Sequence, residues 1–326
     1  MRERTRRRRG LGTMLLALAV LAACGATGDA DGGASGTGAG TASGAPTSTA
    51  ARAAAASTGC ASGAPTAGRR TDLVLDVDGT ARTYDLTVPD APAAADEPAP
   101  LVVALHGFAG DAGGFEVLTG IGERGAAQGA VVVVPDGAGT PPTWAVPGDG
   151  SDEAFLEALV DHVGATTCVD LDRVVLTGFS AGAAMAIRHA CSHEDQVAAI
   201  ATVAVEFALG CTRPTTILAI HGTADEAVPY QDGAIGLSLP GVPVRGTEQN
   251  IGDWAELAGC DGHEVTEVTT GVDRWDHLGC TDGTEVVLYV VHDVGHVWPG
   301  AAPEGEGRSE LDATGLVLEL VADLPG

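Results

Sequence analysis

The stretch LTGFSAGAAM (residues 176–185) decides the fold, because it passes from an apolar strand to a helix around one serine. Gly178 and Gly182 flank Ser180 in the pattern Gly-x-Ser-x-Gly, and two such glycines let a strand and a helix approach closely. A strained turn of this kind exposes the serine hydroxyl, and the helix N-terminus beside it favours a developing negative charge. The pentapeptide alone is also compatible with simple packing, so the surrounding elements decide between the two interpretations.

Continuous apolar runs on both sides of this stretch predict strands that are covered on both faces. They are APLVVALHG, GAVVVVPDG, DRVVLTGFS, VAAIATVAV, TTILAIHG and TEVVLYVVH, and DEAFLEALVDHV between them has the spacing of an amphipathic helix. Before them, TDLVLDVDG and ARTYDLTVP alternate apolar and polar residues around Asp78-Gly79, which predicts an antiparallel hairpin. We therefore expect an α/β domain with a mainly parallel twisted sheet, helices on both faces and an N-terminal hairpin.

A serine nucleophile needs a base to accept its proton, and candidates follow two later strands. Asp225 comes after TTILAIHG and His296 after TEVVLYVVH, at the carboxyl ends where ligands bind in such sheets. Ser180, Asp225 and His296 then follow the chain order nucleophile, acid, histidine. Spacing does not exclude Glu226 as the acid. His292 competes with His296, which we prefer because it lies on a loop after a glycine.

A further feature is the His106-Gly107-Phe108 turn at the end of an early predicted strand. It resembles the turn that supplies one backbone amide of an oxyanion hole, while the residue after the nucleophile supplies the other. We therefore predict the amides of Phe108 and Ala181 as the oxyanion donors. We interpret His106 as a residue that orients the loop.

The N-terminus has the composition of an export signal followed by a linker. MRERTRRRRG is basic, LGTMLLALAVLAA is apolar but short for a membrane span, and LAAC resembles a bacterial lipobox that ends at Cys24. We predict a lipoprotein-type signal peptide over 1–23, a disordered Gly/Ala/Ser/Thr tether over 24–68 and a catalytic domain over 69–326. The protein would then be extracellular, held at the cell surface by a lipid at Cys24 or, after plain cleavage near Ala23, secreted.

Composition excludes some classes of partner and cofactor. The formal net charge of −27 argues against nucleic-acid binding. Six cysteines besides Cys24 predict disulfides in an exported chain; Cys260–Cys280 is favoured because both flank a predicted strand pair, and the other pairings stay open. No cysteine spacing fits a zinc site, and His189 and His193 lack an evident third ligand, so we expect no metal or other cofactor.

A series of sequence blocks resembles one family across most of residues 60–296. The blocks are LVVALHGFAG, VVVPDG, PPTW, SDEAFLEALVD, CVDLDRVVLTGFSAGAAMA, HGTADEAVPY, WAELAGCDG and GHVWPG. They resemble the polyhydroxybutyrate depolymerase-like and feruloyl esterases, secreted α/β-hydrolases that include acetylxylan esterases and actinobacterial lipoproteins. The resemblance implies the α/β-hydrolase fold, a Ser180–Asp225–His296 triad and substrate contacts near Trp144 and Trp298. The sequence HDVGH departs from the Gly-Gly that often precedes the final histidine in this family.

These features together predict a monomeric serine carboxylic ester hydrolase that acts through an acyl-enzyme on polyhydroxyalkanoate, feruloyl or acetyl-xylan esters. Trp144 and Trp298 would stack a phenolic or sugar ring or lie along a polyester chain, with core packing as the alternative. Membrane contact would occur only through a lipid anchor at Cys24. The alternative functions are a serine peptidase or acyltransferase of the same fold, and a non-catalytic cell-surface binding lipoprotein.

Overall fold

The computed structural model describes residues 55–61, 66–90, 97–146, 148, 150–208, 210–236, 241–301 and 309–325. The predicted signal peptide, Cys24 and residues 24–54 of the predicted tether lie outside the described residues. Within the described ranges, no helix combines the length and the apolarity that a membrane span requires.

A ten-stranded sheet with a parallel centre organises the described part of the chain. The strands, including the separate pair β8 and β9, are β1 (Gly68–Val77), β2 (Thr80–Val88), β3 (Ala99–Leu105), β4 (Val131–Pro135), β5 (Val169–Phe179), β6 (Ala199–Val203), β7 (Thr216–Gly222), β8 (Gly233–Ala234), β9 (Pro243–Val244), β10 (Gly262–Thr269), β11 (Val272–Leu278) and β12 (Val286–Val291). The order across the sheet is β1-β2-β4-β3-β5-β6-β7-β12-β11-β10, with parallel pairing from β4 to β12. The strand order reverses between β3 and β5. In open α/β sheets, the carboxyl ends of the strands at such a reversal are where ligands bind.

Helices cover both faces of the sheet and create two cores. They are α1 (Ala112–Thr119), α2 (Ile121–Ala127), α3 (Ser151–Thr166), α4 (Ala181–Ser192), α5 (Thr247–Leu257) and α6 (Ala313–Asp323). Alternate residues of β3 enter opposite cores: Leu101, Val103 and Leu105 join α3, α4 and α5, whereas Val102 and Ala104 join α1, α2 and α6. The continuous apolar runs are thus explained by burial on both faces, and the predicted α/β-hydrolase fold is confirmed.

The N-terminal hairpin has the turn that its sequence predicts. Asp78 and Gly79 join β1 to β2 with φ angles of 52° and 81°. Two consecutive positive φ values are the pattern of a type I′ turn, whose twist matches that of the paired strands. β2 pairs antiparallel with β4, and the hairpin therefore extends the sheet on the side away from β12.

Residues 55–61, which the sequence assigned to the tether, instead pack on the catalytic domain. Cys60 is disulfide-bonded to Cys168 at the junction of α3 and β5. Ser57 Oγ donates a buried hydrogen bond to the carbonyl oxygen of Thr167 at 2.9 Å. The folded unit therefore begins earlier than predicted, because a covalent bond and buried hydrogen bonds hold this segment.

Three disulfides occur in the described residues, and they close chain loops of different length. Cys60–Cys168 spans 108 residues, whereas Cys191–Cys211 and Cys260–Cys280 each span 20. Cys260–Cys280 is the pair that the sequence favoured.

The double variant Cys60→Ser/Cys168→Ser should lose more stability than Cys260→Ser/Cys280→Ser. A cross-link restricts the unfolded chain more when its loop is longer, so we expect losses of about 4–5 kcal/mol and about 3 kcal/mol respectively. Urea unfolding of both variants beside the wild type measures the difference. A larger loss for the shorter loop would contradict the loop-length explanation.

Candidate active site

Ser180 stands at the sharp turn between β5 and α4. Its backbone has φ 54° and ψ −117°, a region that residues other than glycine seldom adopt, so the turn is strained. A Cβ on Gly178 would lie 2.4 Å from the carbonyl carbon of Gly182, and one on Gly182 would lie 2.2 Å from the carbonyl oxygen of Leu105. The packing that displays the serine therefore requires glycine at both positions.

Asp225 and His296 are hydrogen-bonded across two loops. His296 Nδ1 donates to Asp225 Oδ2 at 2.7 Å, while Asp225 Oδ1 accepts the amides of Ala227 and Val228, each at 2.8 Å. Burial alone would raise the pKa of Asp225, but hydrogen bonds from His221, His296 and the backbone outweigh it and hold the pKa well below its usual value. Asp225 is therefore an anion, and it fixes His296 as the tautomer protonated at Nδ1.

The loops after β5, β7 and β12 meet at this edge of the sheet. Phe179, the residue before Ser180, packs its ring on the imidazole of His296 with the centroids 4.7 Å apart. On the other side, a Cβ on Gly222 would lie 2.2 Å from the carbonyl oxygen of Val294, so the loops carrying the acid and the histidine are in backbone contact. The structure thus brings Asp225 to His296 and places His296 against the neighbour of Ser180.

Glu226 and His292, the two alternatives that sequence spacing did not exclude, are not part of this hydrogen-bonded pair. Glu226 is exposed, whereas the side chain of Asp225 is only 1% exposed. His292 Nε2 is bonded to Asp273 Oδ2 at 2.9 Å, and its side chain is 45% exposed. Geometry therefore favours Asp225 and His296.

The turn after β3 is oriented by a neutral histidine. His106 Nε2 accepts the amide of Gly137 at 2.9 Å, and its Nδ1 donates to the carbonyl oxygen of Gly107 at 2.7 Å. Burial lowers the pKa of His106, although this backbone bond and nearby carboxylates oppose the shift. Phe108 follows this turn and Ala181 begins α4 at the adjacent strand end, where the first helical amides have no intrahelical acceptor.

Trp144 and Trp298 are core residues, so neither offers a ring face to a substrate. They are 4% and 2% exposed. Trp144 Nε1 donates to the carbonyl oxygen of His106 at 2.8 Å, and Trp298 Nε1 donates to Thr314 Oγ1 at 3.0 Å. The predicted substrate contacts are corrected to the core packing that the sequence left as the alternative, because each indole uses its only polar atom inside the fold.

Sequence reasoning missed two buried residues, namely His221, which lies beside Asp225, and Glu206, which lies beside His221. His221 Nε2 lies 3.5 Å from Asp225 Oδ2, and its Nδ1 lies 2.8 Å from Glu206 Oε2. Burial alone would lower the pKa of His221, but the two carboxylates raise it to about 10. The signal available in the sequence was the spacing of four residues between His221 and Asp225 at the end of an apolar strand.

The other histidine pair considered for metal binding is a ring stack. His189 and His193 lie with their centroids 4.3 Å apart, and His189 Nε2 is bonded to Gln196 Oε1 at 3.1 Å. Burial lowers the pKa of His189 to about 4. Across the described ranges, no group of three or more His, Cys, Asp or Glu side chains is arranged to hold a metal ion.

Gly222→Ala should reduce turnover of p-nitrophenyl acetate about a hundredfold. The added methyl would push the backbone of Val294 away, and misplacing a catalytic group by about 1 Å costs roughly this factor. Gly252→Ala in α5 is the matched control, since a Cβ there meets nothing within 4 Å. Equal activity of the two variants would show that the contact does not position His296.

The free energy of unfolding should fall as the pH rises from about 6.5 to about 10. The pKa of His221 is raised from 6.5 to about 10 in the folded state, so its stabilising contribution is complete below the lower value and is lost as the pH passes the upper one. Urea unfolding at a series of pH values measures this slope. The variant Glu206→Gln/His221→Gln should have a shallower slope, and equal slopes would contradict the expectation.

Comparison with known proteins finds esterases. The family described as Phospholipase/Carboxylesterase matches residues 151–235. "Putative esterase NocK" of Nocardia uniformis subsp. tsuyamanensis is 31% identical over 251 residues, which are 69% of this chain and 72% of that protein. Feruloyl esterase C of Emericella nidulans is 30% identical over 236 residues, 70% of this chain and 80% of that protein. Feruloyl esterase B of Piromyces equi is 29% identical over 232 residues, 67% of this chain and 42% of that protein.

Among solved structures, an acetyl xylan esterase from Aspergillus awamori is similar in fold. Its TM-score is 0.52 at 16% identity, over 66% of this chain and 89% of that one. Such a low identity establishes the fold alone, whereas relatives at 30% identity or more, matched over more than two thirds of their length, establish the family. With this fold and these relatives, the chain belongs to the feruloyl esterase-like family of α/β-hydrolases and is a carboxylic ester hydrolase.

Proposed function

We propose that the chain hydrolyses esters through an acyl-enzyme formed on Ser180. The observation that carries this proposal is the 2.7 Å hydrogen bond from His296 Nδ1 to Asp225 Oδ2, beside the strained turn of Ser180. An imidazole that a carboxylate holds in this way presents Nε2 as a base. His296 Nε2 takes the hydroxyl proton of Ser180 while the serine oxygen attacks the ester carbonyl carbon.

The backbone amides of Phe108 and Ala181 bind the oxyanion, and Asp225 stabilises the imidazolium that forms. The proton on His296 then passes to the departing alcohol. In the second half, water gives a proton to His296 and attacks the acyl carbon, and Ser180 regains its proton as the acid leaves. Each oxyanion donor of this kind is worth about a hundredfold to a thousandfold in rate.

The natural ester belongs to one of three classes, feruloyl, acetyl-xylan or hydroxyalkanoate. The names of the relatives favour a feruloyl ester. Phe108 supports an aromatic acyl group, because its side chain is 46% exposed directly after the oxyanion turn, whereas Trp144 and Trp298 are buried. Hydrolysis rates of methyl ferulate, an acetylated xylan and a hydroxybutyrate oligomer, measured on one preparation, rank the classes.

The same proposal includes the cellular location. Disulfides of the kind that the described residues contain form in oxidising compartments, which supports an extracellular enzyme. Export by the signal at 1–23, lipid attachment at Cys24 and action as a monomer remain parts of the proposal. Mass spectrometry of the mature N-terminus from an expressing cell separates lipid attachment from plain cleavage.

Ser180→Ala should lower kcat for p-nitrophenyl acetate about a millionfold, because the nucleophile is lost. Asp225→Asn should lower it about ten-thousandfold, because the tautomer of His296 is no longer fixed. Ser192→Ala, at the opposite end of α4, is the matched control and should keep the wild-type rate. Steady-state rates and unfolding curves of all three variants test the proposal.

A folded Ser180→Ala protein with wild-type turnover would overturn the assignment of the nucleophile. Labelling with a fluorophosphonate probe separates the alternatives, since folded wild-type protein that takes no label would be the non-catalytic binding protein. Matched ester and amide substrates, with and without an acceptor alcohol, identify a peptidase or an acyltransferase by their products.

A further inference from the structure

We infer that the buried Glu206–His221 pair is a positioning device for the catalytic carboxylate. In this inference, His221 supplies a fixed cation that holds the oxygen of Asp225 to which His296 donates, and Glu206 keeps that cation in place. The inference rests on the proposed triad of Ser180, Asp225 and His296. Glu206 and His221 touch no reacting atom, so they act through Asp225.

The hydrogen-bond geometry of His221 identifies it as an imidazolium. Its Nδ1 lies 2.8 Å from Glu206 Oε2, and its Nε2 lies 3.0 Å from the carbonyl oxygen of Val228. A carboxylate and a backbone carbonyl can only accept, so both ring nitrogens must carry protons. The same Nε2 lies 3.5 Å from Asp225 Oδ2, the oxygen that His296 Nδ1 reaches at 2.7 Å. One carboxylate oxygen thus lies between two histidines.

Helix α5 fixes the far side of the pair. Asn250 Nδ2 donates to Glu206 Oε1 at 3.1 Å, and Trp254 Nε1 donates to the backbone carbonyl oxygen of Glu206 at 2.8 Å. Thr247 Oγ1 lies 2.9 Å from His221 Nδ1. Because both oxygens of the Glu206 carboxylate have partners, the pair is held in one geometry.

Few ionisable groups face His221 among the described residues. Glu206 comes from the segment after β6, and Asp225 from the loop after β7. The ring of Tyr230 is nearly perpendicular to that of His221, with the centroids 5.7 Å apart, and its hydroxyl donates to Glu248 of α5. The pKa of His221, raised to about 10 by the two carboxylates, agrees with the doubly protonated geometry.

Stability alone is a weak explanation for this pair. The side chains of His221 and Glu206 are 0% and 2% exposed, and taking two charges out of water carries a large desolvation penalty. Well-packed apolar residues of similar volume often stabilise a fold as well or better. The pair also stands against the one buried carboxylate that orients His296, and the inference explains this placement.

Removing the cation should make activity more sensitive to acid. Without His221 as a partner, Asp225 takes up a proton at higher pH. The hydrogen-bonded pair of Asp225 and His296 therefore takes up a proton at a higher pH than in the wild type.

The variant Glu206→Gln/His221→Gln removes both charges and keeps side chains that can hydrogen-bond. Its acid limb of kcat/KM for p-nitrophenyl acetate should move upward by about one pH unit, the low end of the effect of a charge at this distance. At the plateau, kcat should fall while KM stays unchanged, because ground-state binding does not involve this pair. A folded variant with an unmoved acid limb would overturn the inference.

Asp85→Asn is the matched control. Asp85 is a carboxylate on β2 whose side chain is only 8% exposed, and it forms an ion pair with Arg69 at 2.7 Å. It should lower the unfolding temperature and leave the acid limb in place. If Asp85→Asn moved the acid limb equally, a general loss of stability would explain the result and the inference would fail.

A measurement on the unmodified protein covers the case in which the double variant does not fold. Nitrogen-15 shifts of the His221 ring at pH 8 should show protons on both nitrogens. A ring with one bare nitrogen at that pH would overturn the inference. Asp225→Asn distinguishes failure of the proposed triad from failure of the positioning role. If this variant keeps full activity, the proposed triad is wrong. If it loses activity while the acid limb of the double variant is unmoved, only the positioning role is overturned.

Discussion

The contact between the backbone at Gly182 and the carbonyl oxygen of Leu105 is the constraint on which the candidate site depends. A side chain at residue 182 would lie 2.2 Å from that oxygen, so only glycine lets the start of α4 reach the end of β3. This approach bends the chain at Ser180 into its strained conformation and puts the first amides of α4 beside the turn that carries Phe108. The same backbone contact therefore positions both the proposed nucleophile and the proposed oxyanion donors.

The histidines of two His-Gly pairs at strand ends differ in charge, because the groups that face their rings differ. His106 accepts a backbone amide at Nε2 and is neutral, whereas both nitrogens of His221 face acceptors and it is a cation. The glycine after each histidine lets a neighbour approach closely: a Cβ on Gly107 would lie 3.0 Å from the ring of Phe179, and one on Gly222 would lie 2.2 Å from the carbonyl oxygen of Val294. The same His-Gly dipeptide therefore carries a different charge at two strand ends, because the protonation of the imidazole depends on whether a donor or an acceptor faces it.

Sequence reasoning predicted the sheet, the hairpin turn and the family, since these depend on periodicity, turn residues and block order along the chain. It also proposed Asp225 and His296, which chain order and strand ends place near each other. It could not assign Trp144 and Trp298, because an aromatic residue in a loop has the same local pattern whether its ring is buried or exposed. It passed over Glu206, whose partners lie on β7 and α5 and are distant in sequence. The predicted boundary between tether and domain was too late in the chain for a similar reason. The low-complexity sequence of residues 55–61 does not reveal that Cys60 is bonded to the distant Cys168.

The Cys60–Cys168 bond also determines how mechanical load would enter the domain. Tension applied upstream of residue 55 passes through a covalent link to the start of β5, near the middle of the sheet. The edge strand β1 follows Cys60 in the chain and is shielded from that pull, because the disulfide carries the force before it reaches the hairpin. Breaking this bond would redirect the same tension to β1, where hydrogen bonds to β2 could be opened one after another.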